Sequence, residues 1–254
     1  MSGPVLQVDE LTVAYGGLLA VEGVSFAVAP GEVFGLIGPN GAGKTSCIDA
    51  LTGFTPARGR VRLGDRPIDE LPTHRRARAG LARTFQSVEL FEDLTVTENL
   101  TVASSDPVWW SPIVDAVRPR RTTADVAWAL EAVGLTELGT ARPSELSHGQ
   151  RRLVGVARAL VRRPTVLLLD EPAAGLDTVE SAALGRRIRD IASTGVAVLL
   201  VDHDMGLVLS VCDRVAVLDF GHLIATGTPA AVRDDPVVVA AYLGTGTTGE
   251  GHRG

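Results

Sequence analysis

Lysine is nearly absent from this 254-residue chain: of its 24 lysines and arginines, only Lys44 is lysine. Asparagine is almost as rare, occurring only as Asn40 and Asn99. An N-K-x-D motif for reading guanine therefore cannot be assembled, because the single lysine follows Gly43. Two cysteines, Cys47 and Cys212, are too few for a disulfide framework. Surplus positive charge is also missing. The formal net charge is −6, so no global positive field exists to gather nucleic acid nonspecifically. Apolar runs such as Val196 to Val201 fall far short of a membrane span. Residues 1–10 have neither a basic start nor an apolar core, so no signal peptide is expected. A soluble chain is expected, one that would need a partner for any work at a membrane. At 45% hydrophobic residues, this length suits one large domain or a domain with a subdomain.

What is present gathers around the one lysine. Gly38-Pro39-Asn40-Gly41-Ala42-Gly43-Lys44-Thr45 matches G-x-x-x-x-G-K-[ST], a phosphate-binding loop. Its context fits. Glu32 to Ile37 reads as a short buried strand, and Ser46 to Thr52 as a helix closed by Gly53. Glycines let successive N–H groups converge on an anion, and the helix start adds partial positive charge. Lys44 would reach the outer phosphates, and Thr45 would offer its hydroxyl to Mg²⁺. An ammonium is a compact point charge, whereas a guanidinium is a wide planar fork. A loop closed tightly on phosphates admits the first and not the second. Cys47 behind the loop is expected to be a small buried residue. The arginines cluster at Arg75, Arg76, Arg78 and Arg83, at Arg118, Arg120 and Arg121, and at Arg151, Arg152, Arg158, Arg162 and Arg163. They are expected on solvated helix faces or in ion pairs.

Residues 5–31 alternate apolar and polar positions, separated by Gly16-Gly17 and Gly23, which predicts antiparallel strands. Val61-Arg62-Leu63 is expected to join them. Continuous apolar runs at Val166 to Leu169, Val196 to Val201 and Val215 to Leu218 suit central parallel strands. Leu184, Ile188 and Ile191 mark a one-faced helix between two of them, so the core is α/β. Val126, Leu130 and Val133 keep helical spacing, and Gln150 to Val161 reads as another helix. With no strong strand between about 89 and 160, that segment reads as a helical subdomain inserted in the core. Trp109-Trp110 falls there, either as local core or as an anchor for a partner.

The run Val166 to Asp170 ends in Asp170-Glu171-Pro172. At the C-terminal end of a strand, Asp170 can hold Mg²⁺ through water, since Mg²⁺ keeps several waters. Glu171, one residue on, can orient or deprotonate an attacking water.

With these residues in place, the chain resembles the ATP-binding cassette (ABC) ATPases over roughly residues 5–243. Leu146-Ser147-His148-Gly149-Gln150 resembles the family's LSGGQ signature, with His148 in place of the first glycine of the pair. The signature precedes a helix, so Ser147 and the Gly149 N–H could face a phosphate. In the family that phosphate belongs to ATP held by the other subunit. Gln86, after Ala82-Arg83-Thr84-Phe85, looks like the Q-loop glutamine that touches Mg²⁺. Asp177 in Ala174-Gly175-Leu176-Asp177 looks like the D-loop aspartate, and His203 like the switch histidine at the γ-phosphate. Tyr15 looks like the aromatic that stacks on adenine.

The resemblance implies a P-loop NTPase (RecA-like) α/β core, with an antiparallel β part and an inserted helical subdomain. Implied boundaries are 1–88 and 161–243 for the ATP-binding core, 89–160 for the helical part, and 244–254 for a disordered tail. Lys44, Gln86, Glu171 and His203 would carry catalysis. Tyr15, the loop from Gly38 to Ser46, Ser147, Gly149, Gln150 and Asp177 would bind nucleotide, and Thr45, Gln86 and Asp170 the metal. ATP and Mg²⁺ are the implied cofactors. Implied partners are integral-membrane permease subunits, a second cassette in a homodimer or heterodimer, and a solute-binding protein through the permease, with no nucleic acid. The implied place is peripheral, on the inner face of the cell membrane. Leu94-Thr95-Val96-Thr97-Glu98-Asn99-Leu100, Val201-Asp202-His203-Asp204-Met205 and Ala241-Tyr242-Leu243-Gly244 resemble the branched-chain amino-acid importer type. Urea or amide importers and lipopolysaccharide-export ATPases share much of this pattern. A soluble ABC ATPase acting on ribosomes or DNA usually carries two cassettes or a large inserted arm, and this chain has neither.

Overall fold

The computed structural model describes residues 3–85, 89–104 and 122–243. The chain opens with an antiparallel hairpin, β1 (Leu6–Tyr15) and β2 (Leu18–Val28), turned at Gly16 and Gly17. Leu6, Val8, Leu11 and Val13 of β1 are buried, and so are Val24, Phe26 and Val28 of β2. That period of two sends one face inward. Gly23 does not separate strands as its sequence position suggested. It lies inside β2 as a bulge, at φ +61°, where the register passes from Val13↔Val21 to Leu11↔Val24. The Thr12 hydroxyl accepts its N–H at 3.1 Å, so the extra residue costs no unpaired donor.

β3 (Val33–Ile37), buried at every residue, leads through the glycine loop into α1 (Lys44–Thr52). α1 starts two residues earlier than its hydrophobic pattern implied, because Gly43 at φ +103° forms its N-cap. It ends at Gly53, also left-handed, at φ +79°. β4 (Arg58–Leu63) and β5 (Arg66–Pro67) complete a four-stranded antiparallel sheet in the order β2-β1-β4-β5. α2 (Thr73–Ala79) follows and carries Arg76, which is not on a solvated face as expected. Its buried guanidinium donates to Ala50 O at 2.7 Å and Leu51 O at 2.8 Å. A helix leaves its last carbonyls without partners, and Arg76 supplies them for α1.

β6 (Leu81–Arg83) adds a three-residue parallel strand. Then come α3 (Val96–Ser104), α4 (Thr122–Val133) and α5 (His148–Leu160), which pack on one another through Leu100, Val126, Leu130, Val133, Val154 and Leu160. The remainder alternates: β7 (Val166–Asp170), α6 (Thr178–Ser193), β8 (Ala197–Val201), α7 (Met205–Val211), β9 (Arg214–Asp219) and β10 (His222–Gly227). Two short helices follow, α8 (Pro229–Arg233) and α9 (Pro236–Leu243). The second sheet runs β10-β9-β3-β8-β7-β6, parallel except for β10 against β9.

Alternate residues of the central strands serve two cores. Leu167, Leu169, Val198, Leu200, Val215 and Val217 join the cluster that holds α3 to α7. Val166, Leu168, Leu199, Val201, Ala216 and Leu218 join the cluster shared with α1 and the antiparallel sheet. Coverage on both faces is why these strands are continuously apolar. Each fully buried Leu, Val or Ile contributes about 1.5–3 kcal/mol. The parallel strands β3, β7 and β8 end side by side, and ligands of open α/β sheets bind off such C-terminal ends.

Candidate functional site

The loop after β3 is fixed by sterics. A Cβ on Gly43 would lie 2.3 Å from Ala20 O, and one on Gly38 2.1 Å from Leu218 O. Both have positive φ, and Gly41 at φ +81° makes a third such residue. Lys44 folds back over the loop, where its ammonium donates to Gly38 O at 2.7 Å and Pro39 O at 3.0 Å. Burial pulls its pKa below the usual lysine value, while nearby Glu171 and Asp170 oppose that shift. Ala42 is buried, and Asn40, Gly41 and Thr45 are exposed, with Ser46 half-buried. α1 has no side-chain cap and no acidic residue in its first turn. Its first N–H groups therefore stay available to an anion.

A cleft of about 610 Å³ beside the loop is lined by Thr45, Asp49, Phe54, Thr55, Arg83, Phe85 and Asp170. Tyr15 stands exposed at the end of β1, its hydroxyl 3.4 Å from Thr55 Oγ1. It is thus not a strand-packing residue.

β7 delivers two carboxylates. Glu171 sits at φ +46°, a region non-glycine residues seldom adopt, and strain of this kind clusters at functional sites. Its N–H donates to Val201 O at 2.7 Å, which ties it to the end of β8. One residue beyond Val201, Asp202 is fully buried and braces the turn, accepting from Ala173 N–H at 3.1 Å and Asp204 N–H at 2.9 Å. His203 projects from this braced turn, exposed, with Nδ1 3.9 Å from Glu171 Oε2 and 3.7 Å from Asp202 Oδ1. Neither distance is a hydrogen bond. His203 is no helix cap either, since Asp204 caps α7.

Asp170 is held by a residue whose place the sequence did not reveal. Arg83 Nη2 donates to Asp170 Oδ2 at 2.9 Å, and Nη1 donates to Asp49 Oδ1 at 2.6 Å. The guanidinium is 9% exposed and lies 5.7 and 5.1 Å from the Phe54 and Phe85 ring centres. In the sequence Arg83 stands as one arginine of a basic cluster. Its one sequence signal is its place three residues before Gln86.

A metal fits this site in one way. No group of three or more His, Cys, Asp or Glu able to hold an ion occurs among the described residues. The Thr45 hydroxyl and Asp170 line one cleft, and Asp170 Oδ1 has no protein partner among the described residues. That donor set suits Mg²⁺ held mainly by phosphates and water.

The signature residues form a second group. Ser147 caps α5: its Oγ accepts from Gln150 N–H at 3.2 Å, and Gln150 Oε1 accepts from Ser147 N–H at 2.9 Å. The Gly149 N–H donates to Glu180 Oε1 of its own chain at 3.3 Å. Asp177 caps α6, accepting from Glu180 N–H at 2.8 Å. Glu180 therefore links the starts of α5 and α6. No residue of this group lines the cleft beside the phosphate loop.

Tyr242 of α9 belongs to the string Ala241-Tyr242-Leu243-Gly244. Its half-buried hydroxyl is hydrogen-bonded to the Gly38 backbone. Burial raises its pKa, and this bond works against the rise. Gln86, Trp109, Trp110, the cluster Arg118, Arg120 and Arg121, and residues 244–254 lie outside the described residues.

A glycine loop opening a helix, with Asp-Glu at the end of the parallel strand next but one, defines a P-loop nucleotide hydrolase. The chain belongs to the ABC transporter ATPase family: the sequence model described as "ABC transporter" matches residues 21–174. A second, "Branched-chain amino acid ATP-binding cassette transporter", matches residues 222–247. The chain is 43% identical to the high-affinity branched-chain amino acid transport ATP-binding protein BraF of Pseudomonas aeruginosa, over 96% of this chain and 99% of that one. It is 41% identical, with the same coverage, to LivG of Escherichia coli K12, which bears the same description. Among solved structures, the ADP conformation of an ABC transporter's ATP-binding cassette aligns with TM-score 0.84 at 29% identity, covering 96% of this chain and 100% of that one. A nucleotide-free cassette aligns with TM-score 0.82 at 29% identity, covering 94% and 99%.

Proposed function

We propose that this chain hydrolyses ATP to power the import of branched-chain amino acids through integral-membrane permease subunits. One observation carries the choice of solute: identity to the branched-chain amino acid transport proteins is 41–43% over 96% of the chain. The lipopolysaccharide export protein LptB of Acidithiobacillus ferridurans, of an alternative type, stands at 38% over 94% of the chain. The 222–247 match favours the same type. No helix among the described residues is long and apolar enough to cross a membrane, so the chain would act peripherally, from the inner face.

In this reading Tyr15 stacks on adenine, and the loop from Gly38 to Ser46 wraps the phosphates. Lys44 leaves its carbonyl partners for the β- and γ-phosphates, a stronger charge-assisted bond. Thr45, Gln86 and Asp170 would hold Mg²⁺, which when bound neutralises charge on the phosphate oxygens. Glu171 takes a proton from water as its oxygen attacks the γ-phosphorus and the bond to ADP breaks. His203 holds the γ-phosphate. Ser147, Gly149, Gln150 and Asp177 meet ATP held by a second cassette, identical or related. Residues 89–160 move as the unit that transmits closure to the permease, with a solute-binding protein delivering cargo outside. Co-reconstitution with the permease into vesicles, followed by ATP-driven uptake of labelled leucine and urea, tests this. Leucine uptake supports it, and urea uptake alone would refute the solute.

A further inference from the structure

The nucleotide reading gives Asp170 a metal and gives Arg83 nothing to do. Yet Arg83 is tightly held in the cleft beside the phosphate loop. Its side chain is 9% exposed, packs against the touching Phe54 and Phe85 rings, and donates to carboxylates on two different elements. Its Nε is buried with no hydrogen-bond partner among the described residues, so the side chain is not placed for its own satisfaction. Both terminal nitrogens are committed instead, one to Asp49 of α1 and one to Asp170 at the end of β7. A planar fork spans two carboxylates in one fixed geometry, whereas a lysine ammonium is a compact point charge on a flexible stem and fixes their spacing less well.

We propose that Arg83 is a positioning residue for the divalent ion that accompanies the nucleotide. By taking Asp170 Oδ2, it leaves Oδ1, which has no hydrogen-bond partner among the described residues, for an ion in the cleft that Thr45 shares. The Asp49 arm fixes the guanidinium to the helix that follows the phosphate loop, so loop and carboxylate keep one spacing. Outer partners that orient a metal-ligating carboxylate typically carry about 10–100-fold in metal affinity. Repulsion between Arg83 and the ion works the other way. However, Asp49, Asp170 and Glu171 outnumber Arg83 and Lys44, so the group stays net negative and still attracts a cation. The inference rests on the nucleotide reading and deepens it.

The test uses the full chain with a fluorescent ATP analogue, first in EDTA and then titrated with Mn²⁺, with bound Mn²⁺ followed by electron paramagnetic resonance. Arg83→Met should bind the analogue in EDTA within about twofold of wild type, yet need about tenfold more Mn²⁺ for half-saturation. Arg83→Lys should recover part of that loss. Asp49→Asn, which removes only the anchor, should lose less than Arg83→Met. If Arg83→Met fails to fold by circular dichroism, Arg83→Lys and Asp49→Asn still decide. An unchanged Mn²⁺ titration would overturn the inference while leaving the nucleotide reading intact. Tighter Mn²⁺ binding would also overturn it, by making Arg83 a competitor. A wild-type chain that binds no nucleotide would sink the nucleotide reading, and the inference with it.

Discussion

The Gly149 N–H donates to Glu180 Oε1 at 3.3 Å, so the signature glycine is occupied by a carboxylate of its own chain. In the proposed pairing of two cassettes, the γ-phosphate held by the second subunit would displace or face that negative charge. Glu180→Gln removes the charge and keeps an acceptor at the third helical position, which Gln fills as well as Glu. One charge at a helix N-terminus is worth about 0.3–1 kcal/mol. In a Glu171→Gln background, Glu180→Gln should lower the ATP concentration for half-maximal dimerisation by about two- to fivefold. Sedimentation velocity reads this directly, and weaker dimerisation would show that Glu180 assists closure.

Tyr242→Phe keeps the half-buried ring and deletes only the hydroxyl bonded to the Gly38 backbone. A hydrogen bond of this kind contributes about 0.5–1.5 kcal/mol net. The variant should bind an ATP analogue about 2–10-fold more weakly, with a small fall in thermal midpoint. Unchanged nucleotide affinity would mean that α9 does not steady the phosphate loop.

Gly43→Ala and Gly41→Ala should differ sharply, although both residues have positive φ. A Cβ at position 43 strikes Ala20 O at 2.3 Å, whereas nothing lies within 4 Å at position 41. Gly41→Ala should therefore lose only the backbone term, about 1–3 kcal/mol. Gly43→Ala should also shift β2 against the loop and abolish analogue binding. Isothermal titration on both proteins checks the order, and equal losses would contradict the packing described.

Burial pushes the Cys47 and Cys212 thiols up to about 12 from 9.0. A folded-state pKa raised in this way gives stability that is whole below pH 9.0 and is lost as pH climbs toward about 12. Thiolate, the reactive form, is then about one part in ten thousand at pH 8. Ellman's reagent should find no fast thiol in the native protein at pH 8, and two after denaturation. The thermal midpoint should fall as pH rises above 9.0. A fast native thiol would contradict the burial of both side chains.

The parts of the site that could be read from sequence are those written in short stretches. Gly38 to Thr45 carries its steric reason in its own composition, and β3, β7 and β8 announce themselves as unbroken apolar runs. What escaped depends on distant partners. Arg83 looks like a surface residue until β6 pairs with β7 and sets it against Asp170, 87 residues away. β6 itself is three residues long, too short for any periodicity to show. Gly149 has a local reason to face an anion, but the anion it meets is Glu180, 31 residues on. Gly23 looks like a turn glycine because a bulge and a turn both need positive φ, and only the register distinguishes them.

The most direct test of the account is ATP turnover by Glu171→Gln beside wild type. Glu171 holds a strained backbone at the end of β7, tied to the end of β8 and within 3.9 Å of His203. If it is the base that activates water, its amide should still bind Mg²⁺-ATP but hydrolyse it about 100-fold or more slowly, as loss of a general base requires. Hydrolysis by Glu171→Gln at the wild-type rate, with the same metal dependence, would contradict the account.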